Sequence, residues 1–486
     1  MTIARSLSPV LAVLVASVAT VGASNDVAAQ SARALDVRAA AVIDHWTADR
    51  RAAAIPRDLV IDSRGLGFMR QPGNTLVPYG HSIAALAANH GNPNAAPGGS
   101  ADAAGPVIAN RVPAAGATVG ATATFSATVT DPSGVKSVSV RLQKGGGAVQ
   151  TFAAVKGSGD FWSTTVSGLT DGAWSWSIVA KDGAKQGGGN PTTSATLAFT
   201  VSVGGGGGGT GEVANAEWTT NGVVQTAAGR IYFEMPDSRR RTRWSGYVCS
   251  GTVVSDGLTG RSIILTASHC IYDDANKAFA RHVLFIPDQA GTTGAGTDLS
   301  CSNDPLGCWV PGFGVVDLNW TTRTFPDNVH WDYAFYVVPD TGAHQAGSGS
   351  PVSQALDSAV GPMDISFTAP ALNGLTHALG YSYDVDPQFM YCADGLESLD
   401  ADDYWLGNCG LTGGSSGGPW VQPMNTGTGN GPVISVNSWG YTNQAGMAGP
   451  KLSGTSASCV FATAKSAMFG TFADGEAGFK ASCTQQ

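Results

Sequence analysis

Charge is scarce in this sequence: only 13% of its 486 residues are Asp, Glu, Lys or Arg, and the formal net charge is -9. A nucleic-acid protein needs an extended basic surface to meet phosphate, and none is visible. The one basic run, Arg239 to Arg243, is short and reads as a solvated loop between two strands, with proteolytic processing or an anionic partner as the alternatives. Long apolar runs are missing as well. Pro9 to Val21 is too short to span a bilayer, and no later segment is apolar enough to do so. Cysteine is absent from the first half of the chain, all eight lying between Cys249 and Cys483. No CxxC pair occurs and the cysteines do not group with histidines at ligand spacing, which argues against zinc. An even number confined to one region implies disulfides made in an oxidising compartment. Sequence leaves the pairing open; nearest neighbours in order would join Cys249 to Cys270, Cys301 to Cys308, Cys392 to Cys409 and Cys459 to Cys483.

The plentiful residue is glycine, 65 in all, in a composition that suits short strands and many turns better than long solvated helices. The expected fold class is all-β. The length predicts roughly three units of about 150 residues each. Residues 1–29 read as a secretory signal: Arg5 is the positive flank, Pro9 to Val21 the apolar core, and small residues permit cleavage after Ala23 or Ala29. Residues 30–105 follow as a pro-like segment and linker. Its first part looks like a separate small unit with a helix whose Leu35, Val37, Val42, Ile43 and Trp46 share a broad face. Ala88 to Gly105 has too little apolar area to fold and reads as linker. A propeptide and a plain N-terminal extension both fit the segment.

Residues 106–203 alternate as strands do, with Val138, Val140 and Leu142, then Trp174, Trp176 and Ile178, then Leu197, Phe199 and Val201 turned to one side. Turns such as Asp131-Pro132-Ser133-Gly134 separate them. Several short strands in so few residues indicate a β-sandwich, and the stretch resembles the immunoglobulin-like modules appended to exported bacterial enzymes. Spacing is its default role, with surface or matrix docking the alternative. The glycine run within residues 204–211 is a flexible boundary, and the last domain spans 212–486.

That last domain carries chemistry in three passages, in the order His, Asp, Ser. In Ile263-Ile264-Leu265-Thr266-Ala267-Ser268-His269-Cys270 a β-branched strand runs into a small-residue turn bearing a histidine. Only imidazole is a base near neutrality with two ring nitrogens for two partners. In Trp331-Asp332-Tyr333-Ala334-Phe335-Tyr336-Val337-Val338 an aspartate heads an apolar strand, where it needs a hydrogen-bonding partner; Asp317 and Asp327 lie nearby. In Thr412-Gly413-Gly414-Ser415-Ser416-Gly417-Gly418-Pro419 glycines let the backbone turn sharply and approach a substrate carbonyl.

Together these passages resemble the Thr-Ala-x-His-Cys, Asp-x-Ala and Gly-x-Ser-Gly-Gly-Pro motifs of trypsin-like serine peptidases, over roughly Gly229 to Met468. The closest flavour is the bacterial glutamyl-endopeptidase-like branch. The resemblance implies a double six-stranded β-barrel, a triad of His269, Asp332 and Ser416, and an oxyanion hole from the Gly414 and Ser416 amides. It also implies that Cys249 bonds Cys270. Val436-Asn437-Ser438-Trp439-Gly440 matches the strand that in relatives lines the specificity pocket, so Ser438, Trp439 and Gly440 are expected to pair with substrate. Two departures matter. Ser415 replaces the aspartate that pairs with a freed N-terminus in animal enzymes, so Arg230-Ile231 should be an ordinary pair entering a strand, Gly229 to Phe233. Neither Asn408-Cys409-Gly410-Leu411 nor Asn437 supplies a charge for the pocket, which points to uncharged substrate side chains. The acidic residues Asp394, Glu397, Asp400, Asp402 and Asp403 read as a solvated loop, with calcium the minor alternative.

The expected activity is therefore secreted serine endopeptidase, acting on protein or peptide substrates with no metal or organic cofactor, no nucleic-acid partner and no membrane span. A non-catalytic adhesion or binding protein on the same scaffold, and an esterase, are the rival readings.

Overall fold

A computed structural model describes residues 34–80 and 105–483, apart from short internal stretches that include 184–188, 202–210 and 293–300. The expected signal (1–29), most of the first linker and the glycine run lie outside the described residues. The protein is all-β, and among the described residues no helix is long and apolar enough to cross a membrane.

Residues 106–203 fold around their own core, as the alternation requires. Val138, Val140, Leu142, Trp174, Trp176, Ile178, Phe199 and Val201 are buried with Phe125, while Leu197 packs partly buried against them. Strand Gly172–Asp182 pairs antiparallel with Val135–Lys144 and with Leu197–Val201, so the three apolar rows meet on one face. The expected turn closes by Gly134 N–H donating to the Asp131 carbonyl at 3.0 Å.

The C-terminal part holds two larger sheets. The first runs Arg281–Pro287, Ala228–Pro236, Trp244–Val254, Arg261–Thr266, Ala334–Pro339, Phe313–Asp317 and Gly478–Ala481, and curls into a nearly closed barrel. Strands such as Ala334–Pro339 are buried at every position, which explains why they read as continuous apolar runs. The other part combines a five-stranded sheet, which includes Leu375–Gly380, Met390–Gly395 and Pro419–Val421, with a seven-stranded one that includes Asp403–Leu406, Met447–Pro450 and Trp439–Tyr441. The four cysteine pairs lie at bonding distance in the expected order.

Residues 34–79 are not a separate unit. A helix over 34–45, a second at Ala48–Ala53 and four short strands have too little surface to enclose a core, and they share that of the C-terminal part. Val42, Trp46 and Ala54 are buried with Tyr232, Val248 and Leu284; Leu59, Ile61 and Tyr79 join the main core. Val37, expected on the apolar face, is 71% exposed. The entering strand also runs further than expected, over Ala228–Pro236.

Candidate active site

His269 sits in a short turn, Ser268–Cys270, directly after strand Arg261–Thr266, and the Cys249–Cys270 disulfide ties that turn to the neighbouring strand. Asp332 caps the turn before strand Ala334–Pro339, which pairs with Arg261–Thr266. Adjacent strands thus bring together residues far apart in sequence. The Asp332 carboxylate accepts from His269 twice, from the backbone N–H at 2.8 Å and from Nδ1 at 2.7 Å, and the Ser438 hydroxyl donates to the same carboxylate. Three donors compensate a carboxylate that is 1% exposed. The Nδ1 bond fixes the proton on that nitrogen, leaving the lone pair on Nε2. That nitrogen is buried and makes no hydrogen bond in the protein.

The neighbouring Asp317 is otherwise engaged. It accepts from Asn319 N–H and from the Ser456 hydroxyl.

The Ser416 loop is pressed against the histidine turn. Ser416 O accepts from Ser250 N–H at 2.7 Å and lies 3.8 Å from Cys270 Sγ. Gly417 has φ +81°, and a Cβ there would stand 2.1 Å from Thr266 Oγ1. Gly414 has φ +96°, with Arg230 Nη1 and the Tyr381 carbonyl filling the space a side chain would need. Among the described residues neither the Gly414 nor the Ser416 amide donates a hydrogen bond.

Sequence reasoning missed what holds this loop. Arg230, fully buried, donates to the carbonyls of Tyr381 (2.6 Å) and Gly414 (3.2 Å) and pairs with Asp386. The Ser250 hydroxyl donates to Gly414 O at 2.9 Å and accepts from Tyr381 N–H at 2.9 Å. Asn437 turns into the interior, where its amide donates to Leu379 O and Ser415 O. Ser415 donates to Thr412 O at 2.8 Å. A buried arginine in a strand was the available signal, since such a cation must find several acceptors.

Strand Trp439–Tyr441 borders Asp332 through Ser438, whose side chain is committed to that carboxylate rather than to a pocket. It pairs with Met447–Pro450 on one side and, unexpectedly, with Asp58–Ile61 on the other.

The acidic stretch is only partly a solvated loop. Asp403 is fully buried and accepts from His330 Nδ1 at 2.9 Å, and burial pushes its carboxyl up to about 6. Burial opposes the charge on His330, but the Asp403 hydrogen bond and charge carry it up to about 9. Burial also pushes Glu397 up to about 7. The ligand atoms of His330, Asp400 and Asp403 lie within 4.8 Å of one another, as do those of His45, Glu234 and His282. In the second group Arg281 donates to Glu234 at 2.8 Å, which makes it an ion-pair network in which a cation is already supplied.

No known family model matches the sequence, and no curated protein does. Among solved structures the chain is weakly similar to fibronectin(III)-like modules of Clostridium thermocellum CbhA, at 20% identity over 21% of this chain and 98% of that one, with a TM-score of 0.15. A cycloalternan-degrading enzyme from Trueperella pyogenes in complex with isomaltose matches at 13% identity over 50% of this chain and 30% of that one, with a TM-score of 0.14. A tetra-tandem repeat in the extending region of a large adhesion protein matches at 14% over 68% and 72%, with a TM-score of 0.13. Likenesses this low carry no argument about activity.

Proposed function

We propose that the chain is a secreted serine endopeptidase of the trypsin-like type, with Ser416 as nucleophile, His269 as base and Asp332 as the group that orients it. The observation that supports this most is the His269–Asp332 pair, whose hydrogen bond leaves the Nε2 lone pair free beside the glycine-bounded Ser416 loop. In this reading the C-terminal part is the double six-stranded barrel of that family, and residues 106–203 are an immunoglobulin-like sandwich serving as spacer or docking module. Four cysteine pairs suit an exported protein.

The mechanism follows from these groups. His269 Nε2 takes the Ser416 hydroxyl proton as Oγ attacks the scissile carbonyl, and the carbonyl oxygen becomes an anion facing the Gly414 and Ser416 amides. The imidazolium is stabilised by Asp332 and gives its proton to the leaving amine as the peptide C–N bond breaks. Water, deprotonated by the same nitrogen, attacks the acyl-enzyme and returns Ser416 as an alcohol. Every proton that leaves a nucleophile is delivered to a leaving group.

The test is Ser416→Ala in purified protein. Casein hydrolysis and labelling by a fluorophosphonate should both vanish while the disulfides stay formed; undiminished hydrolysis in this variant would sink the assignment.

A further inference from the structure

The strand that should receive substrate is already taken. Trp439–Tyr441 has Met447–Pro450 on one side; its other edge would present unpaired N–H and C=O groups, the template to which an extended peptide adds. Asp58–Ile61 occupies that edge in parallel register, Leu59 opposite Trp439, Val60 opposite Gly440 and Ile61 opposite Tyr441. Just before it, Ile55–Pro56 adds in parallel to strand Trp244–Val254. Between the two additions the chain crosses the nucleophile loop: a Cβ on Gly413 would stand 2.7 Å from Asp58 Cβ and 2.9 Å from Pro56 Cβ. With the crossing in place His269 is 0% and Ser416 5% exposed.

The hold is strong for so short a segment. Leu59 and Ile61 are buried in the same core as Trp439 and Tyr441. Arg57, buried, lies 3.5 Å from Asp273, and the Tyr79 hydroxyl donates to Asp274. Trp46 Nε1 donates to His282 O, and Arg51 lies 3.5 Å from Asp304. Yet the segment is not seated as a substrate. Neither the Gly414 nor the Ser416 amide donates to any carbonyl of it, so no peptide bond of the segment is offered for attack.

We propose, on the basis of the peptidase reading above, that residues 34–79 are an intramolecular inhibitor of this active site. They fill the peptide-binding edge Trp439–Tyr441 and cap Ser416 and His269, and the enzyme becomes active when they leave. Because the segment shares the core of the catalytic part, its departure exposes an apolar edge that an extended peptide with uncharged side chains then covers.

The experiment compares the intact full chain with two loosened full-chain variants, Leu59→Asp and the double variant Trp46→Ala with Arg57→Ala, the second guarding against misfolding of the first. Intact mass confirms that the segment is still attached. Fluorophosphonate labelling of Ser416 reads access, and amide hydrogen exchange at Trp439–Tyr441 reads docking. The loosened chains should label at least about tenfold faster than the intact chain, in proportion to the fraction of molecules with an open cleft. Exchange at Trp439–Tyr441 should rise while that of Ala334–Pro339 stays slow. Equal labelling with faster exchange would show that the segment docks without blocking, and unchanged exchange in both variants would show that it does not release; either overturns the inference and leaves the peptidase reading standing. Faster exchange with no labelling and no casein hydrolysis in any form would instead overturn the peptidase reading, and the inference with it.

Discussion

Arg230 Nη1 donates to the carbonyl of Gly414 at 3.2 Å, from a strand that begins more than 180 residues before the Ser416 loop. Gly414 O is held by Arg230 and by Ser250 Oγ, and the N–H of the same peptide, on Ser415, donates to Thr412 O at 3.2 Å, so this peptide is fixed at both ends. Ser415 donates its hydroxyl to Thr412 O within the loop, and the buried Arg230 braces the loop from the Gly414 side.

Arg230→Gln should therefore lower kcat by about 10- to 100-fold, the loss that a shift of roughly 1 Å in a catalytic group produces, with KM little changed. Steady-state kinetics on a peptide ester and on casein check it. An equal rise in KM with kcat intact would mean that Arg230 shapes substrate binding and not the loop.

Asp332→Asn keeps the shape and reverses one hydrogen bond. The amide can donate to His269 Nδ1, which moves the ring proton to Nε2 and removes the base; kcat should fall by about 10⁴-fold. Retained disulfides and unchanged hydrogen exchange in strand Ala334–Pro339 would locate the loss in chemistry rather than in folding. The same substitution at Asp317 should leave the pH profile of kcat unchanged, because that carboxylate serves Ser456 and Asn319.

His330 stands two residues before Asp332 and ties its turn to Asp403. The imidazole is held charged up to about 9, against an ordinary value near 6.5, so the stability it contributes is complete below about pH 6.5 and is lost as pH rises through about 9. The Asp403 carboxyl, pushed up to about 6, has already ionised below that window and is then left buried without its cation. The effect should be about 2 kcal/mol, discounted for the partial exposure of the ring. Calorimetric Tm measured from pH 6.5 to 9.5 should fall in the wild type and stay flat in His330→Gln, whose starting value is lower.

The passages around His269 and Ser416 were legible because each is local. A strand entering a small-residue turn, and a serine among glycines whose backbone must take positive φ, are properties of a few consecutive residues. The row Trp174, Trp176 and Ile178 was legible for the same reason, since side chains two apart on a strand share a face whatever lies opposite. Val37 shows the limit of such reading: helical spacing defines a face but not which neighbour covers it, and among the described residues nothing covers Val37.

What the sequence by itself determined, then, is the all-β class, the cysteine-bearing region with its even count, and the strand-and-turn passages around His269, Asp332 and Ser416, all encoded in composition and short-range pattern. Only the tertiary structure decided which aspartate faces His269, that Ser438 serves Asp332, that Arg230 and Ser250 brace the Ser416 loop, and that Asp58–Ile61 lies on Trp439–Tyr441. Those are contacts across tens to hundreds of residues. They depend on which strand edges remain unpaired and which buried polar groups still need partners once the sheets have closed, and no local window contains that information.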